Sequence, residues 1–335
     1  MANIIIRPDW HIPDREVTPE DVYRNRRRFL KQLGIVGAGA LSSQLIGCSD
    51  APAEADSSAG GSLTPSAAAG AKPPGGPPVP RNPKYDPGWN LTNEDWALTY
   101  NNYYEFSTKK DEVHKKVGGF PIKPWQVEIS GLVEKPMTLD IADIMKQFPI
   151  EERVYKFRCV EAWGMIVPWR GFPLRALLDK VKPTADAKFV RFVTGGDPAK
   201  FPNWKPLIFK GYPLPYTEGL RLDEAMNDLT LVGTGLYGSP LATQCGAPIR
   251  IVVPWKYGYK SIKSINKIEL VREQPKTLWQ SLNPKAYPFE SNVEPKKSYT
   301  NWSQATHRMI DTDARVRTEL YNGYGKQVAS LYKKA

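Results

Sequence analysis

The chain has 335 residues, 41% of them hydrophobic and ten of them Trp, enough apolar material for a sizeable core and too much for a disordered chain. Its formal charge is +11, and because the first 48 residues hold seven basic and five acidic side chains, an excess of +9 lies beyond them. Three His and three Cys, widely separated, offer no spacing that builds a zinc or iron–sulfur site from side chains alone, whereas a metal carried by an organic cofactor needs only one protein thiolate.

The N-terminus reads as an address. Arg26-Arg27-Arg28-Phe29-Leu30-Lys31 followed by a moderately apolar run over 34–47 fits a twin-arginine export signal, and the run is too short to span a membrane. Such a signal directs a protein to the periplasm after it has folded, often around a cofactor, and argues against nucleic acid as the partner of the basic excess. Two processing readings stay open. Leu45-Ile46-Gly47-Cys48 resembles a lipobox that would anchor the chain through Cys48, and Ala51-Pro52-Ala53 offers an ordinary small-x-small cut. Residues 1–53 are therefore assigned to the signal segment, 54–89 to an Ala/Gly/Pro/Ser-rich flexible spacer, and 90–335 to one folded domain.

Within that domain the run 99–106 packs aromatic and amide side chains together and reads as an edge strand. Trp125, Val127 and Ile129 alternate with polar residues up to Gly131, a half-buried strand. Asp140 precedes Ile141, Ile144, Met145 and Phe148 at helical spacing and caps a helix. In 154–159, Tyr155, Phe157 and Cys159 share one face of a strand, and Gly164 and Pro168 then break any regular element, so an irregular loop is expected to begin just after the thiol. A second helix opens at Pro173 with Leu174, Leu177 and Leu178 inward, and 189–194 is a further strand. Residues 195–219, rich in Pro and Gly, read as a long irregular loop. A short helix over 222–226 and a strand over 229–234 follow; Ile249, Ile251, Val252 and Val253 form a strand buried on both faces. Lys256, Lys260 and Lys263 then recur among aromatics and glycine, either a loop able to grip a phosphate or a solvated basic face. A strand over 264–272 and a turn at Asn322-Gly323 complete the chain, so strands outnumber helices and the class is α+β with mostly antiparallel and mixed sheet.

Cys159, at the end of its strand, has two readings: an inert packing residue, or a thiolate ligand or nucleophile assisted by the neighbouring Arg158. Here a resemblance decides. Residues 158–163 (Arg-Cys-Val-Glu-Ala-Trp), with 101–106 before them and 246–250 through 255–258 after them, are similar to the catalytic subunits of the periplasmic protein-methionine-sulfoxide reductases, in the sulfite oxidase fold family. The likeness spans about 90–335.

The resemblance implies a molybdenum held by a single molybdopterin without a nucleotide and by one protein thiolate, matched by Cys159 as metal ligand and catalytic residue. It places Glu161 beside the metal on the substrate side. It puts Asn101, Tyr104, Glu105, Thr194, Cys245, Arg250, Ser261, Ile262 and Lys263 on pterin-binding positions, with Arg250 and Lys263 neutralising the phosphate. Cys245 departs from the family pattern, which has asparagine there, and raises a rival: a Cys159–Cys245 disulfide would forbid ligation. The implied activity removes oxygen from methionine sulfoxide in oxidised periplasmic proteins. Electrons would come from a haem-binding membrane subunit, paired with this chain as a heterodimer and fed by the quinone pool; the chain has no Cys-x-x-Cys-His haem motif of its own. Two other functions stand beside it: sulfite oxidation, which would want arginines such as Arg158 and Arg170 converging on the pocket, and a cofactor-free surface binding lipoprotein.

Overall fold

The computed structural model describes residues 72–297 and 302–333. The twin-arginine stretch, Cys48 and the first part of the expected spacer lie outside the described residues.

The alternation of 125–131 produces β1 (Gln126–Gly131), whose Val127 and Ile129 are fully buried. It pairs antiparallel with β2 (Met137–Asp140), and Asp140 then caps the helix Ile141–Gln147 by accepting from the Asp143 N–H at 2.8 Å. β3 (Glu151–Cys159) and β4 (Trp163–Pro173) form a long antiparallel hairpin running from Glu151 opposite Gly171 to Cys159 opposite Trp163. Helix Leu174–Val181 buries Leu174, Leu177, Leu178 and Val181, the i, i+3, i+4, i+7 stripe of its sequence. β5 (Phe189–Thr194), β6 (Thr217–Arg221), β7 (Leu231–Leu236), β8 (Ser239–Pro240), β9 (Arg250–Val252), β10 (Ile265–Val271), β11 (Thr306–Met309) and β12 (Arg315–Arg317) follow.

These strands make two sheets. One has the order β2-β1-β10-β5-β6; the other runs β12-β11-β4-β7-β8, with β3 added on β4 and β9 on β7. Among the described residues, only the β1–β10 and β11–β4 strand pairings are parallel, so the expected antiparallel and mixed character holds. β11 comes so close to β4 that a Cβ on Gly164 would lie 2.9 Å from the His307 ring, which leaves room for glycine alone. The β3–β4 turn is tight: the Ala162 N–H donates to Cys159 O at 3.1 Å, and Ala162 sits in the left-handed region at φ 61°.

Five expectations change. Gly164 and Pro168 do not break the chain into an irregular loop: both lie in β4, with Pro168 opposite Val154 in the β3 ladder and its carbonyl accepting from Tyr237 N at 3.2 Å. Residues 99–106 are not a strand. Asn93 accepts from Asp95 N at 2.9 Å and caps a helix over Glu94–Thr99 with two acids in its first turn, and the chain then closes a loop through an isolated Tyr103–Ser107 bridge. The stretch 195–219 holds a helix, Trp204–Phe209, because Pro206 falls in its first turn, where a missing N–H costs nothing. The end of the expected spacer is packed: Tyr85 is buried against Tyr155, Arg81 pairs with Glu152 at 2.7 Å, and Gly76 N donates to Gly238 O at 3.1 Å. The packed chain therefore begins before Asn90.

Finally, Lys256 and Lys260 do not grip a phosphate. Both are buried in ion pairs, Lys256 with Glu224 at 2.5 Å and Lys260 with Glu218 at 2.8 Å, and Glu224 also accepts from Tyr332 OH at 2.7 Å. Removing one partner of such a pair leaves a buried charge uncompensated. Lys256→Met should therefore cost about 3–5 kcal/mol of unfolding free energy by denaturant titration, and Glu224→Gln with Lys256→Met distinctly less. A loss below about 1 kcal/mol for the single variant would contradict this account of the pair.

Candidate functional site

The end of β3 delivers Cys159 to the wall of a cavity of about 340 Å³, to which both sheets contribute. All eleven residues singled out above line it: Cys159 and Glu161 from the hairpin turn, Asn101, Tyr104 and Glu105 from the loop after helix Glu94–Thr99, Thr194 from the end of β5, and Cys245, Arg250, Ser261, Ile262 and Lys263 from the segments around β9. Phe157, on the same face of β3 as Cys159, joins them, while Tyr155 packs elsewhere between Tyr85 and Tyr324.

Cys159 is 7% exposed. Its Sγ accepts from Asn102 Nδ2 at 3.5 Å and from the Glu161 N–H at 3.4 Å, and faces Glu161 Oε2 at 3.8 Å. Burial, reinforced by the Glu161 charge, pushes the thiol up to about 12 against the opposing Glu161 N–H, Arg158 and Lys110. At neutral pH such a thiol keeps its proton; a metal cation, which favours thiolate outright, is what would displace it. Cys245 is also buried and free, its Sγ 3.8 Å from both Asn101 Nδ2 and Ala97 O, so the two cysteines form no disulfide.

Glu161 Oε2 is the hub of the turn. It accepts from Lys110 Nζ at 2.9 Å, Asn102 Nδ2 at 3.2 Å and Trp163 Nε1 at 3.2 Å. Burial would raise this carboxyl, but those three donors, Lys110 first, hold it below the ordinary carboxylate value, so it stays ionised. Arg158, expected to assist the thiolate, does something else. Its fully buried guanidinium binds the backbone O of Cys159, Gln304 Oε1 at 2.8 Å and Thr318 Oγ1 at 3.3 Å, outside the cavity. Arg170 is likewise turned away, onto Gly238 O at 2.6 Å and the Pro77 carbonyl.

The cavity lining also includes two cations held by carbonyl oxygens. Arg250 donates to Cys245 O at 2.7 Å and Ser261 O at 2.8 Å; Lys263 donates to Asn102 O at 2.8 Å and Gln244 O at 3.0 Å. Burial, with the adjacent Arg250, lowers Lys263 to about 7, and burial lowers Arg250 to about 10. Glu105, raised by burial to about 7, does not offset them fully at neutral pH. Thr194 Oγ1 donates to Lys263 O at 2.9 Å, Ser261 Oγ accepts from Val253 N at 3.0 Å, and the Ile262 carbonyl accepts from Ile251 N at 3.0 Å, which fixes the loop. Around the opening, Tyr104, Tyr212, Trp279 and Tyr287 form a contiguous aromatic wall, with Trp279 lying 5.5, 6.0 and 5.1 Å from the other three in that order.

The sequence reading passed over Asn102, Lys110 and, of this wall, Tyr212, Trp279 and Tyr287. Asn102 had a signal, its place beside Asn101 in an amide and aromatic run. Lys110 had none, because Lys109, Asp111 and Glu112 around it make it look like part of a solvated face.

The buried lysine has a measurable consequence. A folded-state value of about 7 against the ordinary 10.5 means the stability tied to neutral Lys263 is present at high pH and lost as pH falls through 7. The chain without cofactor should therefore gain melting temperature from pH 7 to about 9, before the thiols titrate, and Lys263→Met should flatten that rise. A parent and variant with the same slope would refute it.

Comparison with known proteins identifies the family. A family model described as "Oxidoreductase molybdopterin binding domain" matches residues 114–279. Three relatives carry the name protein-methionine-sulfoxide reductase catalytic subunit MsrP. That of Campylobacter jejuni is 45% identical and spans 95% of this chain and 97% of its own; that of Burkholderia mallei is 43% identical over 96% and 93%. That of Xanthomonas axonopodis pv. citri is 41% identical over 97% and 96%. Among solved structures, the sulfane dehydrogenase SoxCD of Paracoccus pantotrophus overlaps 58% of this chain and 56% of its own at 15% identity and a TM-score of 0.40, too weak a likeness to carry an argument. At such identity over nearly the whole length of each relative, the chain belongs to the family of protein-methionine-sulfoxide reductase catalytic subunits.

Proposed function

We propose that this protein is a molybdenum enzyme that reduces methionine sulfoxide within exported proteins, using Cys159 as the protein ligand of the metal. The observation that carries the reading is the buried Cys159 thiol in an aromatic-walled cavity that also holds two cations on carbonyl oxygens.

The cavity fits a molybdopterin. Asn101 Oδ1, Asn102 Oδ1 and Glu105 Oε1 are buried side-chain atoms without a hydrogen-bond partner, which suits a ring with several N–H donors. Arg250 and Lys263 supply the positive charge that a phosphate needs. Cys159 supplies one soft anionic sulfur and leaves the metal's other positions to the pterin and to substrate. When bound, the group would supply two-electron oxygen-atom acceptor chemistry.

The chain's own residues do the rest. Asn102 and the Glu161 N–H donate to the sulfur, which holds its orientation and lowers its electron density. The rings of Tyr104, Tyr212, Trp279 and Tyr287 suit the methyl and sulfur of the substrate side chain, since sulfur packs well on aromatic edges. Burial, with Glu161 and Cys159 adding to it, raises the Tyr104 phenol, so this hydroxyl remains a donor. Overall, sulfoxide, two electrons and two protons give thioether and water. We assign the electrons to a haem-binding membrane subunit fed by quinones, and the location to the periplasm through the twin-arginine signal.

Sulfite oxidation fits less well, because Arg158 and Arg170 both point away from the cavity and spend their donors elsewhere. Family membership leaves the cofactor-free lipoprotein without support. Purified enzyme with a chemical reductant should convert methionine sulfoxide to methionine and leave sulfite untouched. Cys159→Ser should abolish that turnover while retaining the parent melting temperature within a few degrees; unchanged turnover in the variant, or sulfite as the better substrate, would remove the assignment.

A further inference from the structure

Lys110 enters the site from a loop whose other residues look solvated, and it does two things at once. Its carbonyl accepts the Asn101 N–H at 3.1 Å, closing the loop that carries Asn101, Asn102, Tyr104 and Glu105. Its Nζ reaches Glu161 Oε2 at 2.9 Å, with the two side chains 22% and 30% exposed, so the pair is partly screened from water. The other donors to that carboxylate, Asn102 Nδ2 and Trp163 Nε1, are neutral. The cavity's remaining cations, Arg250 and Lys263, direct their donors to carbonyl oxygens instead.

The geometry points to Lys110 as a positioning residue that fixes the Glu161 carboxylate and balances its charge beside the metal-binding sulfur. Two features require such a residue. Glu161 Oε2 stands 3.8 Å from Cys159 Sγ, so an ionised carboxylate there acts on the electrostatics of the sulfur and of any metal it holds, to an extent that a nearby cation offsets. The Asn102 amide is shared between the same two atoms, at 3.2 Å from Oε2 and 3.5 Å from Sγ, so any shift of the carboxylate draws the amide away from the sulfur. Lys110 thus acts on the sulfur through Glu161 and Asn102, and touches neither sulfur nor substrate.

This inference rests on the molybdenum reading above, and its test separates the two. The holoenzyme, Lys110→Met, Lys110→Arg, Glu161→Gln and the double variant Lys110→Met with Glu161→Gln are compared for molybdenum content, for the midpoint potential of the metal by redox titration followed by electron paramagnetic resonance, and for kcat/KM on methionine sulfoxide. Loss of a nearby cation makes adding an electron harder. Lys110→Met should therefore keep its molybdenum, lower the potential and lose about tenfold in kcat/KM, the usual scale for a residue supporting a metal ligand. Lys110→Arg should recover most of both. In the double variant the charges lost cancel, and the potential should return close to the parent value. An equal shift with and without Glu161, no shift at full molybdenum content, or loss of molybdenum from Lys110→Met with Lys110→Arg intact would overturn the inference. The potential is read without substrate, so a parent enzyme inactive on sulfoxides would sink the proposed activity and leave the role of Lys110 decided on its own terms.

Discussion

A charged guanidinium with no exposed surface holds the site in place. Arg158 lies within the sheet and meets only neutral acceptors: the Cys159 carbonyl, Gln304 Oε1 and Thr318 Oγ1. Burying a cation this way opposes folding, and burial lowers its affinity for the proton accordingly. The compensation is positional. The next carbonyl, Val160 O, is taken by Trp302 Nε1 and Gln304 Nε2, each at 2.7 Å, so consecutive carbonyls of the turn are secured on one side. With its backbone fixed in that direction, Cys159 presents its sulfur to the cavity on the other.

Charge around the cavity then falls into two groups. Cys159, Glu161, Asn102 and Lys110 gather at the hairpin turn, where charges are paired at short range. Arg250 and Lys263 stay under-neutralised among carbonyl oxygens, an arrangement that discriminates in favour of an anion. The aromatic wall contributes no charge. A phosphate would be drawn to the second group and a soft metal to the sulfur of the first.

Much of this was legible in the sequence. The helices at 141–147 and 174–181 declared themselves through a cap and a four-residue apolar stripe, and β5 and β10 through their apolar runs. The eleven residues carried over by resemblance do meet around one cavity. What failed was the reading of charge. Lys256 and Lys260 looked like phosphate ligands, yet each pairs with a glutamate more than thirty residues away, a relation fixed by tertiary packing and invisible to local pattern. Arg158 and Arg170 looked like substrate cations for the same reason and turned out to hold backbone carbonyls. Lys110 erred in the opposite sense: a residue in a charged surface stretch pairs with Glu161 beside the thiol. Periodicity reports which face a residue occupies, and says nothing of which distant partner claims its charge.

The support of the hairpin turn by β11, Trp302 and Gln304 also bears on when the protein can mature. Those residues follow Cys159 by about 140 positions, so they are translated well after it. Until they leave the ribosome, the turn lacks a neighbouring strand and Val160 lacks its donors. A finished pocket for any prosthetic group therefore waits on a segment made much later than the thiol it surrounds.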